Sequence, residues 1–308
     1  MEFIKSKTTK FILKLAITVI LIYLLFRFIG IEKVYNELSN VNLYYIFLSL
    51  LFTFPLIFFK ALRWKGIVGI FNKSLKIGPS IVYTLISIAF ALVTPSRLGE
   101  FIKVKYLVDK TRVTYLVSFI TVVVDKVFDI IAMIFLALLS FSLIELFSRW
   151  KNIFIVSFFV YLLILILVFI YFEKVLAIVP YLLPKKYQEG FKRIAITKII
   201  YLKSIIISLI IWLILGVQSF IIFYSLGIKM PLLITLGGIS LMALSAMVPI
   251  SIGGIGIREL IAISFFSIMG INAEKSAVFS LMYTFVTSGI PAITGAFLYM
   301  LLKKKSSL

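Results

Sequence analysis

Residues 93–105 read VTPSRLGEFIKVK, so a proline, a glycine, a carboxylate and three cations follow directly on an apolar run. Residues 248–260 read VPISIGGIGIREL and repeat the order of Pro, Gly and Glu half a chain later. A broken helix and charged side chains are tolerated within the membrane only where protein or a water-filled cavity surrounds them. We therefore interpret the chain as two halves that each carry one broken element.

The composition is that of a membrane protein. Of 308 residues, 62% are hydrophobic and 14% are charged, and the mean hydropathy is +1.17. Soluble domains are about half apolar and about a quarter charged, so a soluble α-helical bundle is a poor alternative. At about 20 residues per span, the chain has room for roughly six to nine spans. We expect one integral membrane domain over residues 1–308, in the cell membrane.

The charge pattern indicates lipid partners. The net charge is +20, and the cations lie in short clusters between apolar runs, which is typical of membrane topology and of contact with anionic lipid headgroups. We expect membrane lipids, and no nucleic acid, as partners. Cys and His are both absent, which excludes disulfides, thiol nucleophiles, His general bases and metal sites built from Cys or His. We expect neither a cofactor nor a metal.

The apolar runs predict an all-α, multi-pass bundle of about six full spans and two broken, re-entrant hairpins. Pro55 predicts a kink in the second span, and a basic amphipathic connector is expected at about 173–203. We divide the chain into a first span with its outer loop (1–42), a first repeat half (43–152), a span with the connector (153–203) and a second repeat half (204–308). The spans are expected at about 11–30, 43–60, 113–144, 153–172, 204–228 and 277–302.

The distribution of Lys and Arg predicts the orientation. The cations concentrate in five segments, which are expected to be cytoplasmic, together with both termini. The apolar piece between segments 60–76 and 97–112 should enter the membrane from the cytoplasmic side and return to that side. The piece from Pro231 to Gly270 should enter the membrane from the outer side and return to it. The result is an inverted-topology repeat, which in transporters places the binding site where two broken elements meet. The alternative is a plain bundle of eight or nine spans. The five segments are 1–14, 60–76, 97–112, 173–203 and 303–305.

A charged cluster interrupts the third span at Asp125, Lys126 and Asp129. Each ionised side chain at a helix centre costs about 2.5–3.5 kcal/mol, so all three must be compensated. Asp125 and Asp129 lie on one helical face, and Lys126 can partly neutralise a carboxylate. The cluster is either part of a transport pathway or a buried ion pair that positions helices.

The first break carries a candidate anion site. Pro95 and Gly99 break the helix, and a half-helix that starts near Leu98 would point its free N–H groups, together with Arg97, at a phosphate. Glu100 and Lys103 complete this candidate. The alternative is an ordinary cytoplasmic basic cluster, although such a cluster does not require Glu100.

The second break follows Pro249 and carries Arg258 and Glu259 behind three glycines. Glycines at this density allow unusual backbone angles and a close approach of ligand to backbone. The alternative is helix packing through small residues. The pair Arg63-Trp64 is interpreted as an interface anchor, with headgroup contact as the second possibility. The three glycines are Gly253, Gly254 and Gly256.

These motifs resemble those of a flippase-like membrane family that includes the transmembrane part of bacterial lysylphosphatidylglycerol synthases and uncharacterised bacterial and archaeal proteins of the UPF0104 type. Ser96 stands where the family often has Gly, and Asp125-Lys126 stands where it often has Glu-Arg. The resemblance implies the lipid-translocating part alone, because the chain leaves no room for an aminoacyl-transfer domain. The matching motifs are Arg63-Trp64, Pro95 to Glu100 with Lys103, Asp125 to Asp129, and Pro249 through Gly253, Gly254 and Gly256 to Glu259.

Three functions are compatible with these residues. The first is a transporter of a phospholipid or polyprenyl-phosphate-type lipid, with the cations on the phosphate and the carboxylates on a cationic group or a coupling ion. The second is an ion-coupled solute exporter with Glu100 and Glu259 as proton carriers. The third is an intramembrane enzyme that binds Mg²⁺ between Asp125 and Asp129. The lipid transporter is the preferred hypothesis, and it assigns no catalytic residue.

Overall fold

The structure, a computed structural model, describes residues 7–69, 74–144, 149–171 and 198–306. Within these ranges it is built from α-helices, with a 3₁₀ turn at Leu98–Phe101 and a π turn at Phe285–Gly289, and it contains no strand. The helices are α1 Lys7–Ile29, α2 Ile31–Ser39, α3 Leu43–Leu51, α4 Thr53–Gly69, α5 Ile77–Leu92, α6 Ile102–Thr111, α7 Tyr115–Leu143, α8 Lys151–Ile170, α9 Lys198–Ser225, α10 Leu232–Ser245, α11 Ile257–Ile268, α12 Ala273–Thr284 and α13 Ile290–Ser306.

Several of these helices are long and apolar enough to cross a bilayer. Four stretches qualify in the described part of the chain, and a fifth does so if α1 and α2, which meet at 81°, count as one broken span. Helix α7 has 29 residues but carries the charged cluster near its middle. The chain is therefore an integral membrane protein, and the count of six spans stays a prediction. The four stretches are Leu43–Gly69, Lys151–Ile170, Ile199–Ser225 and Ala273–Lys304.

Two of the expected boundaries are not reproduced as predicted. The basic connector predicted at about 173–203 lies outside the described residues as far as 197, and its last residues already belong to α9. The second span is interrupted at Phe52, between α3 and α4. Pro55 follows three residues later and has no N–H to bond the carbonyl of Leu51, which accounts for the interruption.

Both predicted breaks are present. Helix α5 ends at Leu92, and after the first break loop (residues 93–97) the chain turns through the 3₁₀ segment into α6. Helix α10 ends at Ser245, and the second break loop (residues 246–256) leads into α11. The starts of α5 and α10 are separated by the same number of residues as the starts of α6 and α11. The described helices therefore follow the same order in both halves, namely long helix, broken pair, long helix.

The two halves pack across each other. Helix α5 of the first half lies along α13 of the second, where Gly295 approaches Leu85 so closely that a Cβ would stand 2.1 Å from the carbonyl oxygen. Helix α10 of the second half lies along α7 of the first, and Ser140 Oγ donates a hydrogen bond of 2.8 Å to the carbonyl of Leu233. Because each broken pair packs against a long helix of the other half, the two break loops meet inside the bundle.

The outer surface of the bundle is apolar. Helix α8 has a mean hydropathy of 3.3 and no buried side chain, so it lies at the periphery with most of its surface free for lipid. Charged side chains are buried inside the bundle, and those buried among the described residues are Arg63, Glu100, Lys103, Asp125, Arg258 and Glu259.

Candidate functional site

Arg63 is the centre of a buried ion-pair network. Its Nε donates to Asp125 at 2.7 Å, and its Nη1 donates to Asp129 at 2.6 Å and to Ser208 Oγ at 2.7 Å. Arg63 is only 2% exposed, and the contacts join α4, α7 and α9. A planar guanidinium suits two carboxylates at once. The two carboxylates that the enzymatic hypothesis assigns to Mg²⁺ therefore bind an arginine here.

Trp64 and Lys103 extend this network. Lys103 Nζ lies 3.5 Å from the second oxygen of Asp125 and 5.0 Å from the centre of the Trp64 ring, and both side chains are buried. The Trp64 indole N–H donates to Thr121 Oγ1 at 3.3 Å. The interpretation of Arg63-Trp64 as an interface anchor is wrong, because both side chains lie inside the bundle, where Arg63 binds two carboxylates and Trp64 binds a threonine hydroxyl.

Glu100 holds the first break loop to α7. It forms an ion pair with Lys126 and accepts a hydrogen bond of 3.1 Å from Arg97 Nε. Lys126 thus pairs with a carboxylate on another element, and its neighbours Asp125 and Asp129 bind Arg63. Arg97 keeps its two Nη groups free of carboxylates within the described part of the chain.

The N-terminus of the first half-helix differs from the expected anion site. The half-helix does begin at Leu98, but its first N–H groups have partners inside the loop. Leu98 donates to the carbonyl of Pro95, Gly99 to Thr94 Oγ1, and Glu100 to the carbonyl of Arg97. An anion at this site would therefore depend on side chains.

The second break loop has the unusual backbone that its glycines predict. Gly253, Gly254 and Gly256 have φ of +61°, +78° and +87°. Arg258 binds this loop, since its Nη2 donates to the Gly253 carbonyl at 2.7 Å and its Nη1 donates to Thr284 Oγ1 at 2.8 Å. Arg258 is 4% exposed, and no carboxylate among the described residues lies within ion-pair distance of it. Arg258 is therefore a buried charge with no ion-pair partner among the residues that the structure describes.

Glu259 shapes the same loop from the other side. One carboxylate oxygen accepts a 2.6 Å hydrogen bond from the N–H of Gly256, and the other accepts from Ser280 Oγ at 3.1 Å. The side chain thus caps the start of α11. It does not line the cavity described next.

A small cavity lies between the two break loops and the long helices. Its volume is about 60 Å³, which is room for a few water molecules. Five of the predicted site residues line it, namely Arg97, Glu100, Lys126, Asp129 and Arg258. The apolar and hydroxyl part of the lining includes Met133, Ile211, Trp212, Leu215, Tyr283, Thr287 and Ser288.

Lys60 also lines this cavity, and the sequence analysis missed it. The sequence places it in the basic segment 60–76, which is predicted to be cytoplasmic, whereas in the structure it lies about one turn before Arg63 on α4 and lines the cavity. No carboxylate in the described ranges is within ion-pair distance of Lys60. The spacing of Lys60 and Arg63 at i and i+3 inside an apolar helix was the available signal.

The cavity carries surplus positive charge. Four cations and two carboxylates line it, and two of the cations, Lys60 and Arg258, have no carboxylate partner among the residues described. The indole N–H of Trp212 is buried beside the cavity and has no hydrogen-bond acceptor in the described structure. An indole N–H and unpaired cations are all groups that favour an anion.

Comparisons with known proteins agree with the sequence motifs. The model of the lysylphosphatidylglycerol synthase TM region matches residues 11–295. The chain is also 28% identical over 184 residues to the UPF0104 membrane protein MJ1595 of Methanocaldococcus jannaschii. That alignment covers 59% of this chain and 52% of the archaeal protein, so the chain spans about half the length of this relative.

Proposed function

The chain belongs to the family of the lysylphosphatidylglycerol synthase TM region, and from this membership we propose that it transports a membrane lipid whose phosphate binds in the charged cavity. The lipid is of the phospholipid or polyprenyl-phosphate type. Its phosphate leaves the water, crosses at the level of the two break loops and is released on the other side, while its hydrocarbon chains stay in the bilayer.

The observation that carries this proposal is the unbalanced charge of the cavity. A buried charge without a partner is costly, and Arg258 is buried with no carboxylate of the described residues within ion-pair distance. A phosphate between Lys60, Arg97 and Arg258 would neutralise the surplus and provide acceptors for the unoccupied donors. Arginine in particular binds phosphate through two parallel hydrogen bonds.

The remaining site residues have positioning roles in this proposal. The network of Arg63 and its partners holds α4, α7 and α9 together around the cavity, and the Glu100–Lys126 pair holds the first break loop against α7. Glu259 and the glycines keep the second break loop in shape. The residues with these roles are Arg63, Trp64, Lys103, Asp125, Asp129, Glu100, Lys126, Glu259, Pro95, Gly99, Pro249, Gly253, Gly254 and Gly256.

The proposal includes an inverted repeat of the two broken pairs. The matching order of helices in the two halves and the meeting of the break loops support this arrangement, which is the one that alternating access uses. A lipid headgroup needs more room than the present cavity has. Separation of the two loops would widen the cavity toward one side of the membrane at a time.

Reconstitution tests the proposal. Proteoliposomes with fluorescent phosphatidic acid, phosphatidylglycerol or undecaprenyl phosphate should show transbilayer movement above that of empty liposomes. Arg258→Gln and Lys60→Gln should reduce it at least tenfold, because each removes one unpaired cation from the cavity. Lys65→Gln, on the same helix but outside the cavity lining, is the matched control. Equal movement with and without protein for all three lipids would refute the proposal.

The volume of the cavity favours one second candidate, the export of a small anionic solute. About 60 Å³ suits an anion of a few non-hydrogen atoms. Flux of radiolabelled phosphate or sulfate from proteoliposomes distinguishes the two candidates. An exporter carries the free anion and needs no lipid substrate, whereas a lipid transporter binds inorganic phosphate without carrying it.

A further inference from the structure

The charged side chains inside the bundle form two groups that differ in their charge balance. The fully buried group, within the part of the chain that the structure describes, consists of three cations and three carboxylates. In total charge, the protein therefore balances what it buries completely. The six residues are Arg63, Lys103, Arg258, Glu100, Asp125 and Glu259.

The partly buried charges of the cavity lining are not balanced. Lys60, Arg97 and Lys126 are cations, whereas Asp129 is the one carboxylate of this group. The surplus is thus two positive charges. The cavity lining taken by itself gives the same surplus, because its six charged residues are four cations and two carboxylates. By either count, the described residues leave two positive charges at the cavity without a counter-charge.

The small size of the cavity restricts how a ligand can supply two negative charges. A volume of about 60 Å³ holds only a few non-hydrogen atoms, so two separate monoanions would lie in contact and repel each other. One group that carries both charges avoids this repulsion. A terminal phosphate carries a charge of about −1.5 to −2 at pH 7, whereas a phosphodiester carries a single negative charge.

The hydrogen-bond donors of the lining also suit a terminal phosphate. Lys60 has no carboxylate partner among the described residues, and Arg97 keeps both Nη groups free of carboxylates there. The indole N–H of Trp212, which lines the same cavity, has no acceptor in the described structure. A terminal phosphate offers three acceptor oxygens to these three side chains. A diester offers two charged oxygens, and its second organic substituent would need space beyond that of the present cavity.

We propose that the cavity selects a lipid whose phosphate is a terminal monoester and discriminates against phosphodiester lipids. This inference rests on the proposed function and narrows it, because it sets the ordinary diester phospholipids apart from the substrates. Phosphatidic acid and polyprenyl phosphates have a terminal phosphate, and phosphatidylglycerol does not. Free inorganic phosphate shares the chemistry of the monoester, so the experiments compare both sources.

Isothermal titration with methyl phosphate and dimethyl phosphate measures the preference without a lipid. At pH 7.5 the wild type in detergent should bind methyl phosphate at least tenfold more tightly, because the diester leaves one positive charge of the cavity without a counter-charge. The second pKa of a phosphate monoester is about 6, so the affinity for methyl phosphate should fall about fivefold at pH 5 as the dianion is lost. The affinity for dimethyl phosphate, which reports any change in the protein itself, should stay within twofold. Equal affinities for the two esters at pH 7.5 would overturn the proposal.

Lys60→Gln is the decisive variant, because it removes one of the two surplus charges from a partly buried position. It should lower the ratio of the two affinities at least fivefold, and Lys60→Arg, which keeps the charge, should retain the ratio of the wild type. Lys65→Gln, outside the cavity lining, is the matched control. Arg258→Gln takes the place of Lys60→Gln if that variant does not fold. An unchanged ratio in the charge-removing variant would overturn selection by charge.

Transport distinguishes a lipid substrate from the free anion. Proteoliposomes should move fluorescent phosphatidic acid at least tenfold faster than phosphatidylglycerol with the same acyl chains. Equal rates for these two lipids would overturn the selection of monoesters and leave the proposed function intact. Movement of neither lipid, nor of undecaprenyl phosphate, would refute the proposed function. Efflux of radiolabelled inorganic phosphate without movement of phosphatidic acid would assign the site to the free anion and overturn the inference for lipids.

Discussion

The backbone N–H of Gly253 donates a 3.1 Å hydrogen bond to the carbonyl oxygen of Thr94. The bond joins residues that lie in different halves of the chain, and Pro95 and Ile252 form an antiparallel bridge beside it. The two break loops therefore meet as a pair of short extended segments inside a helical bundle. Any movement that opens the cavity to one side of the membrane has to separate or shift this pair.

Gly253→Ala is expected to destabilise the protein by about 2–4 kcal/mol. The residue has φ +61°, which costs an alanine about 1–2 kcal/mol, and its Cβ would stand 2.3 Å from the carbonyl oxygen of Leu92. The second effect adds the strain of overpacking. Thermal unfolding in detergent measures the change.

Gly227→Ala is the control for this substitution. Gly227 has φ +71°, but a Cβ there meets nothing within 4 Å. It should therefore show the backbone strain alone and a much smaller decrease in Tm. Equal decreases for the two variants would mean that the close approach of Gly253 to Leu92 adds nothing to the cost of a side chain at this position.

Arg63→Met is expected to destabilise the protein by about 3–5 kcal/mol. It removes the partner of the buried Asp125 and of the partly buried Asp129, and it leaves Asp129 with no cation within ion-pair distance in the described structure. Lys33→Met is the comparison, since the Lys33–Glu274 pair is exposed, with Lys33 at 69%, and should contribute about 0–1 kcal/mol. Thermal unfolding in detergent gives both values.

The triple variant Arg63→Met, Asp125→Leu, Asp129→Leu separates structure from transport. Replacement of a whole buried ion-pair network by apolar residues is often neutral or stabilising. Stability should therefore recover relative to Arg63→Met. If the network only positions helices, lipid transport recovers with it. Recovery of stability without transport would assign Asp125 or Asp129 a direct role in the pathway.

The course of the chain was largely predictable, because the signals are local. Pro95 and Pro249 remove backbone N–H donors, so both helices break where the sequence indicates. Glycines supply the left-handed backbone only at the second break; at the first break Ser96 and Arg97 have positive φ, which the sequence did not indicate. The resemblance to the family rested on the same motifs, and the match over residues 11–295 confirms it. The orientation of the chain remains a prediction.

The pairing of charges was not predictable from the sequence. Within one helix, Lys126 is close to Asp129, yet the fold places Glu100 beside Lys126 and gives Asp129 to Arg63. Which carboxylate pairs with which cation depends on which helices become neighbours in the fold. The same reason explains why the sequence predicts an interface anchor at Arg63-Trp64 and a cytoplasmic segment from Lys60 onward. A basic and aromatic segment at the end of a span is usually interfacial, and only tertiary packing puts it inside.

Glu100→Gln is expected to tighten the binding of inorganic phosphate about three- to tenfold. Glu100 occupies Lys126 and Arg97, so its neutralisation releases both cations to the cavity. Two unit charges about 4 Å apart interact with about 1 kcal/mol in bulk water and about 4 kcal/mol near a protein surface, so a three- to tenfold change in affinity requires only a small part of that interaction. Isothermal titration with phosphate checks it, and Glu37→Gln, outside the site, is the control. Weaker binding in Glu100→Gln would mean that the carboxylate organises the site and does not compete with the anion.

Ser251→Ala should leave the protein as stable as the wild type or slightly more stable. Ser251 is fully buried, and its hydroxyl has no partner in the described structure, so alanine removes an unsatisfied group. Ser208→Ala should instead cost about 1.5–3 kcal/mol, because Ser208 accepts a hydrogen bond from Arg63. Ser251 lies opposite Ser96, whose hydroxyl is also unpartnered. A loss of transport in a stable Ser251→Ala variant would give this pair of hydroxyls a role in the open state.

Single cysteines test the inverted repeat, because the wild type has no cysteine and every introduced thiol is then unique. Lys110 ends the first broken pair and Lys229 precedes the second, and both are exposed. The positive-inside distribution places Lys110 in the cytoplasm and Lys229 outside. A membrane-impermeant maleimide should therefore label Lys229→Cys in intact cells and Lys110→Cys only after the membrane is opened. If both label from the same side, the two broken pairs enter the membrane in the same direction, and alternating access through inverted halves is ruled out.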